Sequence, residues 1–270
     1  MTSYREGLGQ ERGGAGSRAR ETSGAAGHAI WVRLCHWILA VCVITLAVSG
    51  LVILMAHPRL YWGEVGNDLT PSWLELPLGR NYRHGGWEAP LAFFQGAGGP
   101  VSRARTYDIF NQNGWARSLH FLVAWIFVGG LTAYLGLSLV TGHLRALLPG
   151  PGELNARRLR DDLAAHLRLP MPRARGGPPY NLSQKLVYAA VVLIGLPAMI
   201  ASGLAMSPAV SAAWPIFPAM FGGSQSARSA HFLLLCALGL FLVVHLAMVA
   251  LTGAGRQLRA MTLGLKTGGS

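Results

Sequence analysis

The feature that most constrains this chain is an apolar stretch near its C-terminal end that contains two histidines. The stretch from Ser226 to Thr252 is long enough to cross a bilayer as a helix, and His231 and His245 lie fourteen residues apart within it. At 100° per residue, this spacing returns to within about 40° of the same helix face, about 21 Å further along the axis. Ionisable groups inside a span are costly and usually face the bundle interior with a partner. The two imidazoles therefore predict an interior site near each side of the membrane.

Composition places the whole chain among polytopic membrane proteins. Hydrophobic residues make up 51% of its 270 residues and charged residues 13%, which is too apolar for an ordinary soluble domain of this length. Its three cysteines, Cys35, Cys42 and Cys236, all fall in apolar stretches and lack the spacing of a metal finger. The net charge of +12 could suggest nucleic acid, but in a membrane protein the distribution of charge between the two sides decides its meaning. We expect the lipid bilayer, and no nucleic acid, as a partner.

Four apolar segments predict an all-α integral membrane protein, a four-transmembrane-helix bundle over residues 30–262. The predicted spans, numbered 1 to 4, cover about residues 31–56, 116–141, 184–206 and 229–252. Residues 1–29 predict a disordered tail without a signal peptide, and residues 263–270 predict a second tail. The long loop over residues 57–114 is crowded with Trp, Tyr, Gly and Pro. It could carry interfacial helices, as around Trp87 to Phe94, offer a docking surface, or form an aromatic belt.

The side on which each loop lies follows from the basic residues. They collect in the N-terminal tail, in the connection from Thr141 to Ser183 and in the C-terminal tail. The positive-inside rule therefore predicts that the N and C termini lie in the cytoplasm, and that the loop over residues 57–114 lies outside a bacterial inner membrane, in the periplasm.

This topology pairs four histidines by depth. His36 on span 1 and His245 approach the inner side, while His120 on span 2 and His231 lie just inside the outer side. A lone histidine in a span is more often a helix–helix hydrogen bond than a ligand, but two pairs at matching depths favour a metal. Two imidazoles from facing helices make the axial ligands of a b-type haem. We therefore predict two non-covalent haems b, with their iron atoms about 20 Å apart.

Several neighbouring residues could support these haems. Arg33, Arg117 and Arg228 each lie three residues before a histidine, on the same helix face, where a guanidinium could pair with a haem propionate or extend to lipid headgroups. Gly50 lies fourteen residues after His36, on the same face. It could let the second macrocycle pack against bare backbone, or it could be an ordinary small-residue helix contact.

Two short repeats suggest that the chain consists of two related helical hairpins. The segment from Arg117 to Leu122 recurs almost unchanged from Arg228 to Leu233, and spans 1 and 3 both end in Ser-Gly-Leu, at Ser49–Leu51 and Ser202–Leu204. Short matches in apolar sequence also arise by chance.

Three motifs resemble the prokaryotic cytochrome b561 superfamily: VRLCHW in span 1, RSLHFL in span 2 and HFLLLCALGLFLVVH in span 4. Its members include the membrane cytochrome b subunits of formate dehydrogenase, nickel–iron hydrogenase and thiosulfate reductase. In that family the span 4 histidines ligate two haems with partners from spans 1 and 2. The stretches HPRLYWGEVGND, YNLSQKLVY, SGLAMSP and FGGSQSARSAHF look closer to subunits that accompany a periplasmic, sulfite-oxidase-like molybdopterin oxidoreductase. The resemblance implies such a partner, together with the quinone pool.

The resemblance also implies a quinone site near the inner haem. In the formate dehydrogenase relative, Asn and Gln at the cytoplasmic start of span 3 lie by the quinone, and here Asn181, Gln184 and Lys185 occupy that place. The amides could bond a quinone carbonyl, and the lysine could stabilise the charge of a partly reduced quinone. The spacing of the two amides departs from the family pattern. A helix cap followed by a lysine that extends to the headgroups explains the same residues.

The sequence thus predicts an electron-transfer subunit between a periplasmic redox partner and the quinone pool. No nucleophile, acid–base dyad or nucleotide loop is recognisable, so the chemistry on the outer substrate would belong to another subunit. The expected direction is from substrate oxidation outside to quinone, although no element of the chain determines it. Two alternatives stay open: a quinol oxidase of the same family that donates to a small oxidant such as superoxide, and a haem-free membrane anchor or transporter.

Overall fold

The computed structural model describes residues 28–67, 69–78, 113–150, 152–167 and 181–264. Within these ranges, four helices are long and apolar enough to cross a membrane: Ile30–Met55, Gly114–Val140, Leu182–Ala205 and Ser224–Thr262. We call them spans 1 to 4. They confirm the predicted all-α membrane fold. The predicted tail over residues 1–29, except for its last two residues, and the predicted interfacial stretch from Trp87 to Phe94 lie outside the described residues.

Span 4 is longer than the predicted residues 229–252. It begins at Ser224 and continues to Thr262 across a kink at Gly253, where φ is 108° and ψ is 80°. Glycine adopts a positive φ at little cost, so the helix changes direction there without ending. The basic residues Arg256 and Arg259 therefore lie on a helical extension of span 4.

Span 3 contains a wide helical turn. Its helix passes through a π-helical segment at Val191–Gly195 before it continues as Leu196–Ala205. Pro197 lacks an amide hydrogen and its ring would clash with the carbonyl of Leu193, so the backbone relaxes into a wider turn just before the proline. The widened turn and span 4 together line an apolar groove of about 220 Å³.

The spans pack as two hairpins. Span 1 packs along span 2, and the second half of span 3 packs along span 4, while fewer contacts join the two hairpins. The buried core lies at mid-depth, where Cys42 and Phe127 of the first hairpin meet Leu196 of the second. Large apolar side chains on the outer faces are exposed, as at Trp125 and Leu240. Such faces suit a lipid environment, in which apolar surface needs no burial.

The described connections contain local structure that the sequence did not predict. After span 1, Arg59–Leu60 pairs antiparallel with Leu74–Glu75. Spans 2 and 3 are joined through two helices, and so are spans 3 and 4, where the sequence predicted only a short turn. These four helices are His143–Leu147, Ala156–Leu167, Pro208–Ala213 and Ile216–Met220.

The segment after span 1, residues 57–67 and 69–78, folds onto the start of span 4, and we call it the docked loop. The carbonyl of Gly63 accepts hydrogen bonds from the amides of Gln225 and Ser226, at 3.0 and 3.1 Å. Gly223 lies against Gly63 so closely that no side chain would fit there, and its φ is 124°. The N-terminal end of span 4 is therefore held by backbone contacts.

The other end of span 4 meets the start of span 1. There the Arg33 guanidinium donates to the carbonyl of Thr262 at 2.7 Å, and the Trp37 indole donates to the carbonyl of Met261 at 3.1 Å. The first turns of span 1 and the last turns of span 4 therefore lie at one depth, as the pairing of the histidines requires.

Candidate haem-binding site

The structure brings together His120 of span 2 and His231 of span 4, which we call the outer pair. Their ring centres are 6.4 Å apart and their planes are inclined by 61°. A metal–imidazole bond of about 2 Å and a distance of about 1.2 Å from that nitrogen to the ring centre, taken on both sides, give about 6.4 Å. The two rings therefore have the separation that one metal ion between them would require.

His36 of span 1 and His245 of span 4 form a second pair, which we call the inner pair. Their ring centres are 6.5 Å apart and their planes are inclined by 50°. Aromatic rings surround this pair, since Phe241 stacks on His245 at 5.8 Å and Trp37 meets His36 edge-on at 5.3 Å. The structure thus brings together the same partners that depth predicts, and haem ligation by these four histidines stays a prediction.

A serine holds the His120 ring from span 1. The Ser49 hydroxyl oxygen lies 2.9 Å from Nδ1 of His120 and 2.7 Å from the carbonyl of Thr45. Because a carbonyl can only accept, the hydroxyl donates to Thr45 and accepts the Nδ1–H of His120. The imidazole is thereby held with its proton on Nδ1 and a lone pair on Nε2.

The second outer histidine has the same arrangement from span 3. The Ser202 hydroxyl oxygen lies 2.9 Å from Nδ1 of His231 and 3.0 Å from the carbonyl of Met199. The same argument places the proton on Nδ1 and the lone pair on Nε2. Each hairpin therefore supplies one outer histidine together with the serine that orients it.

A glycine follows each of these serines and lies against the same ring. A methyl group added at Gly50 would lie 3.4 Å from Cε1 of His120, and one added at Gly203 would lie 3.5 Å from Cε1 of His231. The bare backbone thus lets each imidazole approach its neighbouring helix closely. Gly50 was predicted to contact a macrocycle. The structure places it beside His120, at the outer depth, and a haem contact there stays a prediction.

The outer pair fits a haem on these observations. The two rings lie side by side with centres 6.4 Å apart, and the serine hydrogen bond of each ring is at Nδ1, which leaves the Nε2 lone pair as the acceptor of that ring. In an apolar interior such acceptors need a cation or a donor between them. An iron that takes two imidazoles and receives its other four ligands from a porphyrin meets this need, as in b-type haem.

The three predicted propionate ligands differ in their surroundings. Arg33 bonds to the carbonyl of Thr262, Arg228 donates to the carbonyl of His57, and Arg117 is exposed. Arg33 and Arg228 thus already tie the ends of span 4 to neighbouring segments. Propionate binding by any of the three stays a prediction.

The predicted quinone residues lie at the first turn of span 3. Asn181 and Gln184 form a capping box, in which the amide of Asn181 donates to Oε1 of Gln184 at 3.2 Å. This contact matches the alternative that these residues cap the helix. Quinone binding by Asn181, Gln184 and Lys185 stays a prediction.

Lys185 does not extend toward the headgroups, because it is buried against the connection between spans 2 and 3. Its Nζ donates to Oε2 of Glu153 at 2.7 Å. This hydrogen bond, followed by one from the amide of Gly150, lowers the pKa of the Glu153 carboxyl below its ordinary value. A carboxylate oxygen of Asp162 accepts from the amide of Leu182 at 3.0 Å. Two acidic residues of this connection therefore bind the first turn of span 3.

Ser49, Ser202 and Glu153 were missed by the sequence interpretation. The Ser-Gly-Leu repeat at the ends of spans 1 and 3 was a visible signal for the two serines, but it indicated only related hairpins. Its position at the depth of the outer histidines could have pointed to a role at that pair. Glu153 is one of three acidic residues in a basic connection, and nothing in the sequence distinguished it from the other two.

The comparisons with known proteins identify the family of this chain. A family model described as prokaryotic cytochrome b561 matches residues 27–264. The chain belongs to the prokaryotic cytochrome b561 family. This cytochrome is a multi-pass electron-transfer subunit of the bacterial inner membrane, and its family implies that it binds haem b.

A relative from Azospira oryzae is named as a protein-methionine-sulfoxide reductase subunit, YedZ1. This cytochrome is 27% identical to it over 238 residues, which cover 88% of this chain and 96% of the relative. No solved structure matches this cytochrome.

Proposed function

We propose that this protein is a di-haem cytochrome b that carries electrons between the quinone pool and a redox enzyme at the outer face of the membrane. The observation that carries this proposal is the presence of two facing imidazole pairs, with ring centres 6.4 and 6.5 Å apart. His120 and His231 would hold an outer haem, and His36 and His245 an inner haem. Each haem, when bound, supplies a site for one electron at a time.

The contribution of the chain itself is to position the two sites and to keep the space between them dry. Both pairs use span 4, whose fourteen-residue spacing between His231 and His245 separates them along the membrane normal by about 21 Å. The apolar core around Cys42, Phe127 and Leu196 lies between the two depths. Electrons can tunnel through such packing, whereas water and protons are excluded from it.

We further propose that both termini face the cytoplasm and that quinone reacts near the inner pair. The basic tails and the basic connection between spans 2 and 3 support this orientation through the positive-inside rule. The same connection supplies Glu153, the partner of Lys185, and the Glu153 side chain is 40% exposed. A quinone bound near Asn181, Gln184 and Lys185 would therefore lie close to charged groups in contact with water, which suits a reaction that exchanges protons.

The partner that we propose is a periplasmic redox enzyme. The relative is named as a subunit of a reductase, which favours quinol as the electron donor and the partner enzyme as the acceptor. This direction is the reverse of the one expected from the sequence. The sequence motifs support a partner of the molybdopterin class, and the docked loop beside the outer pair is the surface that it would approach.

Haem counting tests the proposal. The protein would be purified in mild detergent, and haem would be measured as the pyridine haemochrome in wild type, His36→Ala, His120→Ala and His143→Ala. We expect two haems in wild type and one in each of the first two variants. The control should keep both, since the His143 ring packs edge-on against Trp31 and belongs to neither histidine pair.

Well-folded protein without haem, from cells that supply haem, would leave the anchor or transporter alternative. A cytochrome that oxidises quinol with superoxide when purified alone, at the rate seen in membranes, would favour the self-sufficient oxidase.

A further inference from the structure

We propose that Ser49 and Ser202 are positioning residues that orient the outer histidine pair and lower the reduction potential of the haem held there. The inference rests on the proposed function, because it concerns the haem that His120 and His231 would ligate. What carries it is an arrangement that occurs twice, once in each hairpin, with a serine oxygen 2.9 Å from Nδ1 of the histidine in both cases.

The hydroxyl oxygens of the two serines are buried, which limits the donors from which they can accept a hydrogen bond. Ser49 is 1% exposed and Ser202 is 0% exposed, so neither hydroxyl reaches solvent or lipid. Each hydroxyl donates its proton to a carbonyl of its own helix, at 2.7 Å for Ser49 and 3.0 Å for Ser202. The remaining lone pairs point to the imidazole of the adjacent span, at 2.9 Å in both cases. Among the described residues, the Nδ1–H of the histidine is therefore the donor that fits this second contact.

The neighbouring glycines restrict the rings from another side. Gly50 and Gly203 place backbone where a methyl group would already be in van der Waals contact with Cε1 of each imidazole. A ring held by a hydrogen bond at Nδ1 and by backbone at Cε1 has little freedom to rotate. The two rings, whose centres are 6.4 Å apart, are thus restrained in orientation before any ligand binds.

The inner pair lacks this arrangement and provides an internal reference. Nδ1 of His36 is buried and has no hydrogen-bond partner among the described residues. None of the described glycines has an atom of His36 or His245 among the three nearest neighbours of an added methyl group. Any effect that depends on the serines should therefore be confined to the outer haem.

The chemical effect follows from the direction of the hydrogen bonds. An acceptor on Nδ1–H raises the electron density on Nε2 and makes the imidazole a stronger donor to a metal. Stronger donation stabilises the oxidised iron more than the reduced iron. Two serine acceptors, one on each axial ligand, should therefore give the outer haem a more negative potential than the same haem would have without them.

The test is a redox titration that is monitored by optical and electron paramagnetic resonance spectra. The variants are Ser49→Ala, Ser202→Ala, the double alanine variant and the corresponding Ser→Cys variants. All would also be made in a His36→Ala background, which keeps only the outer haem. Thr45→Val is the matched control, because the Thr45 hydroxyl donates to the carbonyl of Val41 in its own helix, at 2.9 Å, and to no histidine among the described residues.

We expect the outer potential to become more positive in each alanine variant and most positive in the double variant. The cysteine variants should fall between alanine and wild type, since sulfur is a weaker acceptor. The inner haem and the control should not change. An outer potential and spectrum that stay unchanged at full haem content, or a change shared equally by both haems, would overturn the inference. Absence of haem from the wild type would instead contradict the proposed function.

Discussion

The outer and inner histidine pairs are nearly equal in spacing but differ in what holds their rings. Each outer imidazole has a serine on Nδ1 and a glycine beside it, whereas the inner imidazoles pack on aromatic rings, and Nδ1 of His36 has no hydrogen-bond partner among the described residues. The spacing comes from helix register, which both pairs share through span 4. The orientation comes from neighbouring side chains, which only the outer pair has. We infer that the outer site is preorganised, whereas the inner site takes its geometry from its ligand.

We expect the largest effect from a substitution at Gly50, which lies against the His120 ring. In Gly50→Leu, a branched side chain must enter the space of the His120 ring, which a methyl group would already contact at 3.4 Å. We expect this variant to bind one haem instead of two, with the inner haem retained. Gly129→Leu is the control, since nothing lies within 4 Å of a side chain added at Gly129. Equal haem contents in the two leucine variants would contradict the inference that close packing at Gly50 determines the geometry of the outer site.

The rates of haem loss should also separate the two sites. Outer-shell partners of a metal ligand typically contribute about 10-fold to 100-fold in affinity. In transfer to excess apomyoglobin we therefore expect two phases, with the inner haem leaving about 10-fold faster or more. The variants His36→Ala and His120→Ala identify the phases, because each should show only one. A single phase in wild type would mean that the serines do not make the outer site tighter.

The contacts of the docked loop with the start of span 4 should contribute to the stability of the protein. The buried Ser229 hydroxyl donates to the carbonyl of Tyr61 at 2.6 Å and accepts from the Trp73 indole at 3.0 Å. Ser229→Ala should cost about 1–3 kcal/mol of unfolding free energy, because it removes a buried donor and acceptor. Urea unfolding in detergent measures this cost. Ser118→Ala should change little, since that hydroxyl is exposed and donates to the carbonyl of Gly114 in its own helix.

The smallest predicted effect lies in the connection between spans 2 and 3 and depends on pH. A carboxyl whose pKa is lowered by folding stabilises the protein above its ordinary pKa, which is 4.5 for Glu153, and loses that contribution as the pH falls through its lower folded value. The melting temperature of Glu153→Gln should therefore be below that of wild type at neutral pH, and the difference should shrink below pH 4.5. Asp161→Asn should show a smaller difference, because its ion pair with Arg160 is exposed. A difference independent of pH would exclude the ion pair as its cause.

Much of the architecture was predictable from local properties of the chain. Membrane-length apolar segments indicated the four spans, and helix periodicity with the distribution of arginines paired His36 with His245 and His120 with His231. These inferences succeed because the bilayer sets the length and direction of each helix, so that depth can be read from position in the sequence.

Other features depend on contacts between distant segments. The bond between Ser49 and His120 requires that span 1 be rotated toward span 2, and hydrophobic periodicity is weak in helices that are apolar on every side. The pairing of Lys185 with Glu153 and the docking of Gly63 onto span 4 involve polar connections, where no bilayer restricts the chain.

The sequence by itself determined that this is a four-span membrane protein with histidines at two depths, because the cost of burying polar groups in lipid acts on each segment separately. Only the tertiary structure decided which imidazoles are held by a serine and a glycine of the neighbouring helix and which are not. That difference arises where one helix turns a serine and a glycine toward the ring of its neighbour, and helix rotation is set by packing between spans.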